Sequence, residues 1–81
     1  MDKISGMIPT PEIVSDVEWE RKINLARQGK PEDLDWLVRD EDFSIRLAVA
    51  RHGRAKDIEI LRDDSSHFVR EMADRKYRGL L

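Results

Sequence analysis

RQGKPEDLDWLVRDEDFSIRLAVA (27–50) and RHGRAKDIEILRDDSSHFVREMAD (51–74) are consecutive segments whose similarity decides the fold. A shift of 24 residues aligns identical residues at Arg27 and Arg51, Gly29 and Gly53, Asp33 and Asp57, Leu37 and Leu61, Asp40 and Asp64, and Arg46 and Arg70. A weaker copy precedes them, so units begin near Asp16, Asp40 and Asp64. Self-similarity at a short fixed period is typical of stacked arrays. The sequence therefore predicts about two and a half stacked units.

Each unit is predicted to begin with a long α-helix. In the second copy Ile45, Ala48 and Val49 follow the i, i+3, i+4 spacing of one helical face, which excludes a strand. Asp40 or Asp42 can cap the N-terminus of this helix, because a carboxylate there accepts a backbone N–H. We therefore expect an all-α fold.

A turn and a short second helix are expected after each long helix. Gly29 and Gly53 stand where a left-handed residue ends a helix, and Pro31 suits the first turn of the next one. The short helices carry Leu34, Leu37 and Val38 in one copy and Ile58 and Leu61 in the next. Each unit is thus predicted to be a pair of helices.

The start of the chain is expected to hold half a unit. Thr10 and Pro11 resemble the cap and first turn of a short helix that would align with the later short helices. Residues 1–9 show no period and are expected to form a loose arm. A single domain is therefore predicted for residues 10–81.

Two stripes along the long helices predict where the array ends. One is half polar only in the first copy and reads Arg21, Asn24, Leu25, then Ile45, Ala48, Val49, then Val69, Met72, Ala73. The other turns polar only in the third copy and reads Trp19, Ile23, Ala26, then Phe43, Leu47, Ala50, then His67, Glu71, Asp74. Terminal units need a polar outer face. We expect a self-capped array, with the Ile45 stripe facing the preceding unit and the Phe43 stripe the following one.

Composition limits the class of protein. The chain has 81 residues, of which 40% are charged, and a formal net charge of -2. A chain of this length buries only roughly 60% of its unfolded surface, so the core must be small. There is no cysteine, which excludes disulfides and thiolate metal sites. No segment has the pattern of a signal peptide or the length of a membrane span, so we expect a cytoplasmic protein without membrane contact.

The segment RDEDFSIRLAVARHGRAKDIEILRDDSSHFVREMA (39–73) resembles the leucine-rich repeat variant, a bacterial helical repeat. The shared features are an Asp, a Val-Arg or Ile-Arg pair, an Ala-Val-Ala run, a turn and a Leu-containing short helix. The segment is more distantly similar to HEAT repeats. The likeness covers residues 16–79 and is weaker in the first copy, where Arg21 replaces the aliphatic residue.

This resemblance implies a right-handed α-α superhelix of paired helices, the second short and of α or 3₁₀ type. It implies no shared catalytic chemistry. Some members carry an iron-sulfur centre, but its cysteines are missing here, so no cofactor is expected.

A ladder of charges is predicted between the units. The basic set is Lys22, Arg46 and Arg70, and the acidic set is Asp16, Asp40 and Asp64. Half-buried guanidinium groups normally find a carboxylate, and HEAT-like units commonly pair Asp with Arg between layers. These residues are therefore interpreted as structural.

Two further basic columns lie near the predicted turns. They are Arg27, Arg51 and Arg75, and Lys30, Arg54 and Arg78. Aligned columns could follow a phosphate backbone, but solvated charge is the alternative, since no aromatic residues are interleaved. His52 lies beside them. Trp36 aligns with Ile60 and is either a core residue of the short-helix layer or an exposed aromatic anchor for a partner.

The sequence favours a non-catalytic module that binds a protein or peptide in a bacterial or phage cytoplasm. The alternative is nucleic-acid binding through the turn columns. Neither His52 nor His67 has metal-ligand spacing, and Ser66 beside His67 is no triad, so no catalytic or metal site is predicted. Self-association through the terminal apolar residues Tyr77, Leu80 and Leu81 is a further possibility.

Overall fold

The computed structural model describes the backbone of residues 10–80 and the side chains of residues 17–80. Within this range the chain forms helices and no strand: α1 (Thr10–Gln28), α2 (Pro31–Leu37), α3 (Phe43–His52), α4 (Ala55–Leu61) and α5 (His67–Leu80). The all-α prediction is confirmed, and both short helices are α-helices. The predicted arm, residues 1–9, lies outside the described residues, as does Leu81.

The long helices pack side by side, with α3 between α1 and α5. The short helix α4 packs against α3 before it and α5 after it, and α2 packs in the same way against α1 and α3. We refer to α1 with α2 as the first layer and to α3 with α4, together with the turn that leads into α3 from Asp40, as the second. The third layer is α5 with the turn that leads into it from Asp64.

One apolar core runs through all three layers. Its fully buried aliphatic side chains are Leu34, Leu37, Ile45, Val49, Leu61 and Val69. Ile45 and Val49 are buried together because residues four apart lie on the same helical face. Each such side chain contributes about 1.5–3 kcal/mol when it leaves water. Because every layer supplies part of this core, each layer stabilises its neighbours.

Both acidic candidates act at the start of α3. The carboxylate of Asp42 accepts from the backbone N–H and the hydroxyl of Ser44, at 2.9 and 2.7 Å. Asp40 accepts from the backbone N–H of Asp42 at 2.9 Å and so fixes the preceding turn. Asp64 repeats this second contact with the N–H of Ser66, also at 2.9 Å. The cap of α3 is therefore Asp42, and Asp40 shapes the turn.

The two turn glycines are required for different reasons. Gly29 has a φ of 71°, which is the left-handed conformation predicted for it. The same prediction for Gly53 is wrong, since its φ of -84 and ψ of 179 are extended. A Cβ on Gly53 would lie 2.5 Å from the carbonyl oxygen of Val49 and 3.2 Å from the Cβ of Asp57. Gly53 is therefore needed for space between α3 and α4.

Helix α1 does not break where the half unit was predicted to end. It runs unbroken from Thr10 to Gln28, so no separate short helix stands at its start. The physical reason is that residues 12–28 contain neither glycine nor proline, whereas Gly29 and Pro31 separate α1 from α2. Pro11 lies in the first turn of α1, where proline is tolerated.

The two stripes differ in burial. Ile45, Ala48 and Val49 are buried, as expected for a stripe that faces a neighbouring layer. In the other stripe Phe43 is 46% exposed and Trp19 is 41% exposed, so both are more accessible than the stripe predicted. Phe43 is the first residue of α3 and therefore lies at the edge of its layer. Farther along the stripe Ala26 and Ala50 are buried, Ile23 and Leu47 are partly buried, and on α5 His67 and Glu71 are exposed.

Candidate interaction surfaces

Charged side chains join the layers. Lys22 Nζ of the first layer donates to Asp40 Oδ2 of the second at 2.8 Å. Arg46 of the second layer donates from Nε and Nη2 to the two carboxylate oxygens of Asp64, at 2.7 and 3.0 Å. The Asp64 side chain is only 9% exposed and that of Arg46 only 14%. Such a bidentate ion pair fixes the register of the two layers and is stronger than a single exposed ion pair.

Arg70 was expected to belong to the same ladder, but in the described part of the chain it meets no carboxylate. Its Nη1 donates instead to the backbone carbonyls of Asp64 and Ser65, at 2.8 and 3.2 Å. The ladder runs from each basic residue to the aspartate of the following layer, so Asp64 is already held by Arg46. The side chain of Asp16, the remaining member, lies outside the described residues.

Arg54 is a structural residue and not the free cation that the turn column predicted. Its Nε and Nη2 donate to both oxygens of the Asp57 carboxylate at 2.8 Å, and Nη2 also donates to Asp35 at 2.8 Å. The backbone N–H of Arg54 donates to Asp57 as well, at 3.0 Å, which caps the start of α4. Asp57 is fully buried, so it depends on these bonds. The hydrogen bond to Asp57, followed in size by the one to Asp35, raises the pKa of Arg54, which stays charged.

Arg27, Arg51 and His52 lie at the C-terminal ends of α1 and α3. Burial lowers the pKa of His52, and the charges of Arg51, Arg27 and Lys76 lower it further. These groups are therefore close enough to form one basic edge, and α5 contributes Lys76 to it. Cations at helix C-termini also interact favourably with the helix dipole, so this edge has a structural reason beside any functional one.

The remaining turn candidates do not extend this edge as a row of free cations. Lys30 and Arg75 are exposed. Arg78 Nη2 donates to Asp74 on the same helix at 2.8 Å. In the column of Lys30, Arg54 and Arg78, both arginines are therefore held in ion pairs.

The ladder aspartates have lowered pKa values. Burial alone would raise the pKa of Asp40, but the hydrogen bond from Lys22 and a backbone N–H two residues on hold it below the ordinary value. Burial likewise opposes the bonds that Asp64 accepts from Arg46 and from its own turn, and the bonds prevail. Both carboxylates are therefore more acidic in the folded chain than in the unfolded one.

The stability of the protein is expected to fall in two steps as the pH is lowered. The stabilisation from Asp40 and Asp64 is complete above their unfolded pKa, about 3.9, and is lost as the pH falls through their lower folded values. The lowered pKa of His52 means that the unfolded chain binds this proton first, so a mild loss begins below about pH 6.5. Melting temperatures followed by circular dichroism should show both steps, and His52→Gln should remove only the upper one. A flat profile between pH 8 and 3 would contradict this assignment.

Trp36 and Ile60 occupy the same position on the two short helices and both point outward. They are 45% and 49% exposed. The core interpretation of Trp36 is therefore wrong, because its position faces away from the buried Leu34 and Leu37 side of α2. An exposed tryptophan can serve as an anchor for a partner.

An aromatic edge, which we define as Trp19, Phe43, His67 and Phe68, crosses all three layers. Trp19 Nε1 donates to Ser44 Oγ at 2.7 Å. The rings of Phe43 and Phe68 stack with centroids 6.0 Å apart, and His67 meets Phe68 edge-on at 5.8 Å. Phe68 remains 61% exposed. The sequence did not single out Phe68, because it belongs to neither stripe and aligns with Ser44 of the second copy.

A charged groove lies on the outer side of α4 and α5. Its lining includes Glu59, Asp63, Arg62, Arg70 and Glu71. The guanidinium of Arg62 also lies 3.9 Å from the ring centre of Tyr77, which is partly buried at this end. The groove thus presents charges of both signs.

The described residues contain neither a metal-binding cluster nor a helix that could cross a membrane. No group of three or more His, Cys, Asp or Glu side chains is placed to hold a metal ion. No helix there has both the length and the apolar character needed to cross a membrane. The chain matches no protein-family model, no curated protein and no solved structure.

Proposed function

We propose that the protein is a non-catalytic module that binds another protein, built as a short right-handed α-α superhelix like that of the leucine-rich repeat variant. The 24-residue period, the alternation of long and short helices and the ion pairs between layers support this architecture. We place the protein in a bacterial or phage cytoplasm, with which the absence of cysteine is compatible.

The aromatic edge is the observation that carries the proposal. Phe43, Phe68 and Trp19 are 46%, 61% and 41% exposed. They stay exposed although Phe43 stacks on Phe68 and Trp19 bonds to Ser44 of the next layer. Aromatic side chains are enriched at protein interfaces, and a few of them commonly supply most of the binding energy. Rigid helices hold these rings in place, so little conformational entropy is lost when a partner covers them.

Nucleic-acid binding through the basic edge is the alternative. Arg27, Arg51 and Lys76 lie close enough to act together on His52, which supports a local positive site. The formal net charge of -2 and the pairing of Arg54 and Arg78 with carboxylates weaken it. Binding of this kind would fall steeply with salt concentration.

Quantitative pull-down from extracts of the cells that express the protein tests the two functions. We compare the wild type with Phe68→Ser, and use Trp36→Ser as the matched control because it removes an exposed aromatic ring from a different surface. Phe68→Ser is expected to lower capture of a specific protein at least tenfold, about 1.4 kcal/mol, and Trp36→Ser less than twofold. Circular dichroism checks that both variants are folded.

Nuclease treatment of the extract separates the alternative. Capture that survives nuclease and fails with Phe68→Ser supports the aromatic edge. Capture lost only with Trp36→Ser would move the contact to the short helices. Capture abolished by nuclease and by Arg27→Glu with Arg51→Glu would establish nucleic-acid binding instead, and no specific protein in any extract would contradict the proposed function.

A further inference from the structure

We infer that the outer face of α5 binds a partner helix that begins with an aspartate and carries basic residues behind it, with Arg70 holding the aspartate. This inference rests on the proposed function, because it names a face and a partner chemistry for a protein-binding module. It concerns the charged groove, which shares His67 with the aromatic edge but is not lined by Trp19, Phe43 or Phe68.

The contact between the second and third layers supplies a template. Arg46 Nη1 donates to the carbonyls of Asp40 and Glu41 at 2.7 and 3.1 Å, which ties the guanidinium to the turn before α3. The opposite edge of the guanidinium, Nε and Nη2, then donates to the carboxylate of Asp64. Asp64 in turn accepts the N–H of Ser66 at the start of α5. The ligand of this guanidinium is therefore an aspartate that leads into a helix.

Arg70 repeats the first half of this arrangement 24 residues later. Its Nη1 binds the carbonyls of Asp64 and Ser65 at 2.8 and 3.2 Å, close to the values at Arg46. Its Nε and Nη2 make no hydrogen bond to any residue that the structure describes. A guanidinium fixed in this way is pre-organised for a bidentate bond to a carboxylate.

The charged side chains around Arg70 indicate which residues the partner helix carries behind its aspartate. Glu71 Oε2 lies 3.4 Å from Nε2 of His67. The Asp74 carboxylate forms ion pairs with Nη2 of Arg62 at 3.4 Å and Nη2 of Arg78 at 2.8 Å.

Glu59 and Asp63 also line the groove and are exposed, without an ion pair among the described residues. A simple anion such as a phosphate would be repelled by this acidic rim. A helix with an aspartate at its start and basic residues along the facing side satisfies both signs.

A second copy of the chain is a poorer fit. Asp16 aligns with Asp40 and Asp64, but α1 passes through position 16 as a continuous helix, with no turn that presents an aspartate at a helix start. The partner is therefore a different protein.

A tethered probe tests the site without any cellular partner. A copy of residues 62–76 is fused behind Leu81 through a flexible Gly/Ser linker, with lysine at the copy of Val69 and arginine at the copy of Met72 to face the acidic rim. The tether raises the effective concentration to about the millimolar range, so a weak site is still detected. The readout is the NMR signal of each arginine Nε–Hε group.

The Arg70 signal is expected to move toward that of Arg46, and the Arg46 signal to stay. A control probe with asparagine at the copy of Asp64 should lower the bound fraction about tenfold. Arg70→Lys should lower it by a similar factor, because lysine cannot make the bidentate bond, and here the backbone amide signals of the probe report the bound fraction.

Three results would overturn the inference: no shift with either probe, equal shifts with both, or a shift of Arg46 that shows the probe replacing the third layer. Phe68 does not line this groove and Arg70 does not belong to the aromatic edge, so each test can fail without the other.

Discussion

Replacing Asp57 with alanine is expected to lower the free energy of unfolding by about 3 kcal/mol, because breaking a buried ion pair costs about 3–5 kcal/mol. Asp57 is fully buried and accepts three bonds from Arg54. Its loss removes the cap of α4 and the carboxylate that orients the guanidinium. For a domain whose total stability is about 5–15 kcal/mol, this is a large share, and urea denaturation at pH 7 measures it.

Asp33→Ala is the matched control, since Asp33 holds the same position in α2. It is only partly buried, and Lys30 before it makes no side-chain capping bond. A loss of about 0.5 kcal/mol is expected there. Equal losses for Asp33→Ala and Asp57→Ala would show that the Arg54 contacts contribute nothing.

Arg46→Leu is expected to lower the free energy of unfolding by about 2–3 kcal/mol. Among the described residues, the substitution leaves the Asp64 carboxylate, 9% exposed, with only a backbone N–H from Ser66 as hydrogen-bond partner. A buried charge that loses its counter-ion is strongly destabilising, and the 14% exposure of Arg46 places the cost at or just below the lower end of the range of about 3–5 kcal/mol for buried pairs. Urea denaturation again gives the value.

Arg70→Leu separates the bond between layers from the bonds within one layer. Arg70 makes the same two carbonyl contacts as Arg46 but, among the described residues, no bond to a carboxylate. We expect a loss of about 1 kcal/mol or less. A cost for Arg70→Leu that equals that of Arg46→Leu would mean that the carbonyl contacts, and not Asp64, account for the effect.

The helices of the second and third copies could be predicted from the sequence because several signals agree. The Ile45 stripe, the acidic cap and the apolar residues of the short helix all indicate the same elements. The first layer was harder, because nothing in residues 10–28 except the alignment suggested where one helix would end. The alignment placed a break there, but local sequence without glycine or proline after Pro11 continues the helix.

The candidate surfaces could be predicted only in part. Alignment shows which residues are equivalent, and it identified Trp36 and the ladder positions. It does not show which of several carboxylates a long side chain will reach, so it leaves Arg54 either solvated or in contact with a phosphate, whereas Arg54 binds Asp57 and Asp35. Exposure at the edge of a layer is also set by packing, which is why Phe68 was missed.

The pKa of Asp64 tests most directly the claim that the long helices stack in a 24-residue register. Asp64 and Arg46 are 18 positions apart in the chain and meet only if the layers pack as described. Carbon-13 NMR titration of the aspartate carboxyls should place Asp64 below its ordinary value of about 3.9 in the wild type. Arg46→Leu should raise this pKa and leave that of Asp40 low, since Lys22 still binds it. An Asp64 that titrates at or above the ordinary value, and does not respond to Arg46→Leu, would contradict the stacked arrangement.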